Sequence, residues 1–219
     1  MGWIAIVPAA GSGSRLERSE PKAFISLGGR MLVERALDML RGVPVDRIVV
    51  AVPEDRLNET KAILHPSEVA IAGGVTRAES VRRAFAALDA AADDIVCIHD
   101  AARPFVSAEE AARVMRAAQR SGVAIAATPV VDTIKRVAGM RVAATVDREG
   151  LWAAATPQAF RADVLGRALA GGREATDEAS LCEEMGVEVE IVPVSRFAFK
   201  VTTSEDLAIA ESILARRQA

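Results

Sequence analysis

Two cations placed behind a glycine-rich segment are the residues of this sequence best suited to chemistry. Residues 8–16 read PAAGSGSRL, directly after a short apolar run, and residues 20–24 read EPKAF. A strand that ends in such a turn directs several backbone N–H groups into one concave surface, which suits phosphate oxygens. Arg15 and Lys22 would then clamp a polyphosphate. The residues expected to form the nucleotide-binding loop are Pro8, Ala9, Ala10, Gly11 and Gly13.

Two well-known nucleotide motifs are excluded by the residues around this loop. The Walker A pattern, G-x-x-x-x-G-K-[ST], does not occur in the sequence. The dinucleotide-binding pattern needs a third glycine or alanine where this chain has Leu16, and an acidic residue about 20 residues later at the end of a second strand. A G-x-G pair alone is also typical of ordinary turns. The two cations and the position after a strand favour a nucleoside triphosphate.

The elements that must hold this loop alternate between strand and helix. Hydrophobic periodicity and capping patterns predict strands at 3–7, 47–52, 68–71, 94–100, 123–130, 187–194 and 198–202. They predict helices at 31–41, 54–64, 76–90, 108–120, 161–170, 177–185 and 204–217. This alternation predicts an α/β fold with a single doubly wound, mostly parallel sheet and helices on both faces. No linker or repeat interrupts it, so we expect one domain over residues 1–219.

The alternation breaks at residues 132–148, which read as two strand-like halves around Ala138-Gly139-Met140. Such a pattern is typical of a β-hairpin. Because many of its residues are charged, we expect the segment at about 131–149 to protrude from the sheet as an arm.

Composition narrows the class of protein. The chain has 219 residues, of which 51% are hydrophobic and 26% charged, which excludes a disordered chain. A net charge of −3 argues against a nucleic-acid-binding surface, and the apolar stretches are too short for a membrane span. The N-terminus does not read as a signal peptide. Cys97 and Cys182 match no metal-ligand spacing, so a reducing cytoplasm is expected, and two histidines make a histidine-centred mechanism a poor first choice.

Further strings follow the loop in a fixed order. They are GGVTRAESV (73–81), HDAARP (99–104), VVDTIKR (130–136), TVDREGLWAAATPQ (145–158), TDEAS (176–180) and FKVTTSEDL (199–207). With PAAGSGSR and the following PK, this order resembles the 2-C-methyl-D-erythritol 4-phosphate cytidylyltransferases of the sugar-nucleotidyltransferase superfamily, over nearly the whole chain. Two positions depart from the family pattern, Ala23 in place of a side-chain amide and Val75 in place of a polar or acidic residue.

The resemblance implies a Rossmann-like nucleotidyltransferase fold and a defined reaction. CMP would pass from CTP to the phosphate of 2-C-methyl-D-erythritol 4-phosphate, giving 4-diphosphocytidyl-2-C-methyl-D-erythritol and pyrophosphate in the non-mevalonate isoprenoid pathway. The nucleophile is already a phosphate oxyanion, so no general base is needed, and positioning with cations supplies the catalysis. Arg15 and Lys22 would be the catalytic residues, and Mg²⁺ would be the cofactor, bound mainly through the CTP phosphates.

The resemblance also assigns binding roles. Gly74, Arg77 and Ser80 would contact the cytosine and ribose, unless Arg77 is merely solvated and Ser80 a helix-interior residue. The predicted substrate-positioning residues are Thr133, Arg148, Thr156, Lys200, Asp100 and Arg103. Asp100 could face the metal, the ribose or the acceptor, and His99 is interpreted as structural, whereas Thr176 and Asp177 are expected to cap a helix.

Family members use the arm to clasp a second subunit, so the resemblance implies a homodimer in which Thr133 and Arg148 complete the neighbour's site. A solvated surface hairpin is the alternative. For the activity, two alternatives stay open: a cytidylyltransferase for a related alditol phosphate such as ribitol 5-phosphate, and a non-catalytic nucleotide-binding module.

Overall fold

A seven-stranded sheet organises the part of the chain described by the computed structural model, which covers residues 1–11 and 20–218. The strands are β1 (Trp3–Pro8), β2 (Ser26–Leu27), β3 (Arg30–Met31), β4 (Arg47–Val52), β5 (Glu68–Ala72), β6 (Ile95–Ile98), β7 (Val123–Pro129), β8 (Ile134–Ala138), β9 (Arg141–Val146), β10 (Trp152–Arg161) and β11 (Glu190–Pro193). The helices are α1 (Leu32–Arg41), α2 (Leu57–Lys61), α3 (Arg77–Leu88), α4 (Ala108–Ser121), α5 (Ala162–Ala170), α6 (Glu178–Glu184) and α7 (Ser204–Gln218).

The central sheet is mostly parallel. Its strand order is β11-β7-β10-β6-β1-β4-β5. Neighbouring pairs run parallel except for β10, which is antiparallel to both β6 and β7. The short strands β2 and β3 form a separate small hairpin. The central strands are nearly continuous apolar runs because both faces are covered, which is the pattern expected for a parallel sheet between helices.

Helices cover the sheet on both faces, which confirms the predicted fold class. One apolar cluster joins α1 and α4 to the sheet, with Leu37 and Met115 in its interior. The second cluster, on the opposite face, brings in α3, α5 and α6 through Val81, Leu165 and Cys182. Helix α4 begins at the predicted capping box, in which the Ser107 hydroxyl accepts the N–H of residue 110. Within the described residues, no helix is long and apolar enough to cross a bilayer.

The chain changes direction across the sheet at β1. From β1 it proceeds to β4 and β5 on one side, and then crosses back to form β6 on the other side of β1. Because β1 and β6 are parallel neighbours, the loops that leave them start side by side at the carboxyl edge of the sheet. In open α/β sheets, ligands bind at such a switch point.

The predicted arm is present and stands apart from the sheet. Among the described strands, β8 and β9 pair only with each other, in an antiparallel hairpin that turns at Gly139 with φ of +57°. Nearly all of the arm is exposed to solvent, including the apolar side chains of Val137, Met140 and Val142. The arm leaves the sheet between β7 and β10, where the Val130 N–H donates to the Leu151 carbonyl over 3.0 Å.

Two predicted elements differ from the structure. Residues 198–202 are not a strand, because their backbone partner is the loop after β6 rather than a strand edge: the Val201 N–H donates to the Ala102 carbonyl over 2.9 Å. The predicted helix 54–64 is a 3₁₀ turn, Glu54–Arg56, followed by the short α2. The apolar pattern of 54–64 predicts a helix but not its length, and the helix ends at Lys61 because the chain turns there towards β5.

Candidate active site

A cavity of about 290 Å³ opens at this switch point, close to the lower size range of small-molecule sites. It lies between the loops after β1 and β6, the start of α3 and the segment before α7. Its lining residues are Pro8, Ala9, Ala10, Gly11, Lys22, Ala23, Arg77, Ser80, Asp100, Ala101, Ala102, Lys200 and Thr202. Most of the predicted nucleotide-binding residues therefore meet at one place, together with one of the two predicted catalytic cations.

The loop after β1 forms one wall. The Ala9 N–H donates to the Ala51 carbonyl over 2.7 Å, which extends the β1–β4 pairing to the cavity edge. Lys22 begins a short 3₁₀ turn whose next two residues are buried, so the backbone of Lys22 is anchored while its side chain lines the cavity. Gly13 and Arg15, predicted for this wall, lie outside the described residues.

The start of α3 forms a second wall. Thr76 is the N-cap of α3, and its hydroxyl accepts the Glu79 N–H over 3.1 Å. The Ser80 hydroxyl donates to the Thr76 carbonyl over 2.9 Å and accepts the Gly74 N–H over 3.0 Å. Ser80 is thus buried in the first turns of the helix and still lines the cavity. Ser80 therefore ties Gly74, in the loop before α3, to the helix.

A chain of alternating charges crosses the cavity. The Asp100 carboxylate accepts hydrogen bonds from Arg77 Nε at 3.1 Å and from Lys200 Nζ at 2.7 Å. Arg77 Nη1 also donates to both oxygens of Glu178, at 2.8 and 2.9 Å. Only 9% of the Asp100 side chain and 2% of the Glu178 side chain are exposed, so both carboxylates are desolvated. Such charges are stable only when they are paired, as they are here.

The pKa values within this chain of charges follow from burial and pairing. Burial alone would raise the pKa of Asp100, but Arg77 and Lys200 together hold it well below its ordinary value. Burial likewise would lower the pKa of Arg77, whereas Asp100 and Glu178 raise it above its ordinary value. For Glu178, burial prevails over the pairing with Arg77, and its pKa is raised. Asp100 therefore stays ionised near neutral pH and keeps Lys200 directed into the cavity.

The end of β6 is held from behind by β10. The Asp100 N–H donates to the Thr156 hydroxyl over 3.0 Å, and that hydroxyl lies 3.4 Å from Nδ1 of His99. Burial lowers the pKa of His99 to about 4, so its ring is neutral near pH 7. Thr156 is buried and does not line the cavity. The structure thus places Thr156 and His99 behind the Asp100 backbone.

Besides Thr156, three predicted substrate-positioning residues lie away from the cavity of this chain. Arg103 is turned towards the segment before α7, where its Nη1 donates to the Ala198 carbonyl over 2.6 Å. Thr133 and Arg148 stand at the base of the exposed arm, and Arg148 hydrogen-bonds the Val131 carbonyl. Their predicted roles therefore depend on rearrangement or on a second subunit.

Glu178 is the member of the charge chain that the sequence did not reveal. It is the first residue of α6, after the predicted cap Asp177, whose side chain accepts the Ser180 N–H over 3.0 Å. An acidic residue in a first helical turn is typically explained by the helix dipole. Thr202 also lines the cavity and is not among the predicted site residues. Nothing in the residues around Glu178 indicates that its side chain is buried against Arg77.

The cavity offers one carboxylate and several cations, which suits an anionic ligand. Among residues 1–11 and 20–218, no group of three or more His, Cys, Asp or Glu side chains is placed to hold a metal ion. Both oxygens of Asp100 already engage cations. The described donor set thus fits a divalent cation carried by the ligand better than one held by the protein alone.

Comparison with known proteins agrees with this geometry. The family model described as "IspD: 2-C-methyl-D-erythritol 4-phosphate cytidylyltransferase" matches residues 3–216. The chain is 44% identical over 224 residues to the 2-C-methyl-D-erythritol 4-phosphate cytidylyltransferase of Nocardia farcinica (strain IFM 10152), covering 99% of this chain and 95% of that protein. It is 40% identical over 220 residues to the bifunctional enzyme IspD/IspF of Desulfotalea psychrophila, covering 97% of this chain and 57% of that protein.

A solved structure supports the same assignment. The crystal structure of 2-C-methyl-D-erythritol 4-phosphate cytidylyltransferase from Thermus thermophilus matches with a TM-score of 0.81 and 38% identity, covering 99% of this chain and 100% of that one. The likeness thus extends over fold and sequence together. Since the family model also spans nearly the whole sequence, the chain belongs to the 2-C-methyl-D-erythritol 4-phosphate cytidylyltransferase family.

Proposed function

We propose that this protein, as a single domain with a dimerisation arm, transfers CMP from CTP to the phosphate of 2-C-methyl-D-erythritol 4-phosphate and releases pyrophosphate, a step of isoprenoid precursor biosynthesis. The observation that carries the proposal is the cavity at the switch point, where Lys22, Lys200 and the Arg77–Asp100 pair face one space beside a glycine-rich loop. Family membership supports the identity of both substrates. The two free, buried cysteines are consistent with a reducing, cytoplasmic setting.

The chemistry needs positive charge rather than a base. The attacking group is a phosphate oxyanion, and negative charge grows on the α-phosphate and on the leaving pyrophosphate. Lys22, with Arg15 from the neighbouring loop, stabilises that charge as a fixed cation. Lys200, oriented by Asp100 over 2.7 Å, attracts the acceptor phosphate towards the same space. His99 is buried behind the Asp100 backbone and does not line the cavity, so no proton transfer is assigned to it.

Mg²⁺ fits this cavity as an ion carried by the nucleotide. When bound, it neutralises triphosphate charge and polarises the phosphoryl oxygens. Asp100 is a carboxylate on the cavity wall, although Arg77 and Lys200 already engage both of its oxygens. The residues of this chain would therefore hold the triphosphate, and Mg²⁺ would be bound through it.

The nucleoside is assigned to the wall built by α3 and the loop before it. Ser80 and Arg77 line the cavity there, and Ala9 and Ala10 leave room for a flat base because their side chains are small. Gly74 is tied to Ser80 at this wall. These contacts support Gly74, Arg77 and Ser80 as nucleotide-binding residues.

The acceptor site is proposed to be completed by a second subunit. Thr133 and Arg148 lie at the base of the arm rather than at their own cavity. The arm exposes Val137, Met140 and Val142, and Met140 is fully exposed. An apolar surface of this kind on a protruding hairpin favours pairing with a partner. A homodimer would bury these side chains and bring the arm of one protomer to the site of the other.

An assay with defined substrates tests the activity. Purified protein with Mg²⁺ is given CTP and either 2-C-methyl-D-erythritol 4-phosphate or ribitol 5-phosphate, and pyrophosphate release is measured. We expect turnover with the methylerythritol phosphate and little with the ribitol phosphate. Preference for ribitol 5-phosphate would identify the related alditol phosphate activity. CTP binding without pyrophosphate release from any acceptor would identify a non-catalytic nucleotide-binding module.

Mixing two impaired variants, at an acceptor concentration well below the KM of the Arg148→Ala protein, tests the shared site. Arg148→Ala should raise the KM for the acceptor, because it removes a cation that recognises the acceptor phosphate. A heterodimer with a Lys22→Ala chain has one intact site, so subunits mixed one to one should recover roughly a quarter of wild-type activity. Heterodimers are verified by differential tags and native mass spectrometry. Verified heterodimers without recovered activity would contradict a shared site, and an active monomer would contradict the dimer.

A further inference from the structure

The loop between β5 and α3 is tightly packed against side chains on both of its sides. Gly73 and Gly74 form this loop with Val75. A Cβ built on Gly73 would collide with the Cβ of Ala10, which lines the cavity, and a Cβ on Gly74 would collide with the side chain of Glu79. Because both residues are glycines, the loop fits between Ala10, at the cavity, and Glu79 of α3.

Side chains from α3 hold the backbone of this loop at three successive residues. The Gly73 carbonyl accepts from Arg83 Nη1 at 2.7 Å, the Gly74 N–H donates to Ser80 Oγ at 3.0 Å, and the Val75 N–H donates to Glu79 Oε2 at 2.8 Å. Ser80 lines the cavity, whereas Glu79 and Arg83 approach the loop from the solvent side.

Glu79 and Arg83 also bond to each other, from Arg83 Nη2 to Glu79 Oε1 at 2.5 Å. The Val75 N–H and then Arg83 hold the pKa of Glu79 below its usual value. An isolated exposed pair at i and i+4 contributes little to stability. This pair differs because each partner also bonds to the backbone of the loop, so the two side chains and the loop close one ring of hydrogen bonds.

We propose that Glu79 and Arg83 are positioning residues that fix the Gly73–Val75 loop and thereby set the affinity and base selectivity for CTP. The inference rests on the proposed function, in which this wall receives the cytosine. Cytosine and uracil differ at two adjacent edge positions: cytosine has an amine donor and a ring-nitrogen acceptor where uracil has a carbonyl acceptor and an N–H donor. Peptide groups held in one orientation therefore discriminate between them. Neither Glu79 nor Arg83 lines the cavity, so both act through the loop, which meets two lining residues: Gly73 lies against Ala10, and Gly74 is bonded to Ser80.

Steady-state kinetics of three variants tests this role. Glu79→Ala and Arg83→Ala should each raise the KM for CTP roughly tenfold, with the acceptor KM unchanged and a lower ratio of kcat/KM for CTP to that for UTP. Glu79→Gln keeps an oxygen for the Val75 N–H but loses the charge facing Arg83, so its CTP KM should fall between those of the wild type and Glu79→Ala. Melting temperatures of all variants show that each is folded.

Arg82→Ala is the matched control. It removes the same charge from the adjacent position of α3, but Arg82 faces Arg173 and Glu174 rather than the loop. Its CTP KM and CTP-to-UTP ratio should match those of the wild type. The inference is overturned if Glu79→Ala and Arg83→Ala retain the wild-type CTP KM and selectivity, or if Arg82→Ala shows the same losses. A wild-type protein without CTP turnover would instead overturn the proposed function.

Discussion

Replacing Lys22 with alanine is expected to lower kcat by roughly 10²- to 10³-fold, with a smaller effect on CTP affinity. Lys22 lines the cavity from a turn whose next two residues are buried, so the backbone that carries its charge is fixed before the substrates arrive. A preorganised cation of this kind interacts more strongly with the charge of the transition state than with the ground state. Single-turnover kinetics with saturating CTP and Mg²⁺ measures the chemical step directly.

Lys61→Ala serves as the control for Lys22, because Lys61 is an exposed lysine at the end of α2 and does not line the cavity. Its kcat should equal that of the wild type. Isothermal titration with CTP separates binding from catalysis for both variants. A Lys22→Ala enzyme with unchanged kcat would remove Lys22 from the mechanism.

The second large effect is expected for Asp100→Asn. The amide keeps the shape of Asp100 but removes the charge that faces Arg77 and Lys200, both within 3.1 Å. Breaking a buried ion pair from one side costs about 3 kcal/mol of unfolding free energy. Lys200 would also lose its orienting partner, and a displaced phosphate-binding group can lower kcat/KM by about 10²-fold. Urea unfolding and acceptor kinetics measure the two losses.

The stability loss in Asp100→Asn should depend on pH with a defined sign. The pKa of Asp100 is lowered in the folded protein, so its stabilising contribution is complete above the unfolded value of about 3.9 and is lost as pH falls towards the folded value. The difference in unfolding free energy between wild type and variant should therefore be large at pH 7 and shrink below about pH 4.

Asp163→Asn is the matched control for this pH series. The pKa of Asp163 is also lowered, mainly by its hydrogen bond to Arg161, but 36% of its side chain is exposed. A surface pair of this kind contributes about 0–1 kcal/mol. An Asp100→Asn protein whose stability differs from wild type no more than Asp163→Asn does would contradict the buried network.

Local sequence patterns predicted what depends on local chemistry. Three features are each defined by a few neighbouring residues: the capping box at Ser107, the hairpin turn at Gly139 and the start of the loop after β1. The structure has all three where the sequence predicts them. The parallel sheet follows from the alternation of strands and helices in the same way. The position of Lys22 at the cavity follows from that topology, because the segment leaves the carboxyl end of β1.

What the sequence did not predict depends on contacts between distant residues. Glu178 meets Arg77 across 101 positions, and Lys200 meets Asp100 across 100. No periodicity encodes such a pairing. The stretch 198–202 has the composition of a strand, yet its backbone pairs with a loop, at the Ala102 carbonyl. Placement of a segment beside a loop or a strand edge is decided by the whole fold.

Strand β10 connects the arm to the back of the cavity. It starts directly after the arm, where Trp152 is in register with Pro129, and it carries Thr156 to the back of the Asp100 peptide. Its pairing with β7 is irregular between Ala154 and Gln158, around that same threonine. A variant with a shortened arm must therefore preserve the length and register of β10. A deletion that slips this strand by one residue would turn Thr156 to the opposite face of the sheet and disable the enzyme without touching a single ligand contact.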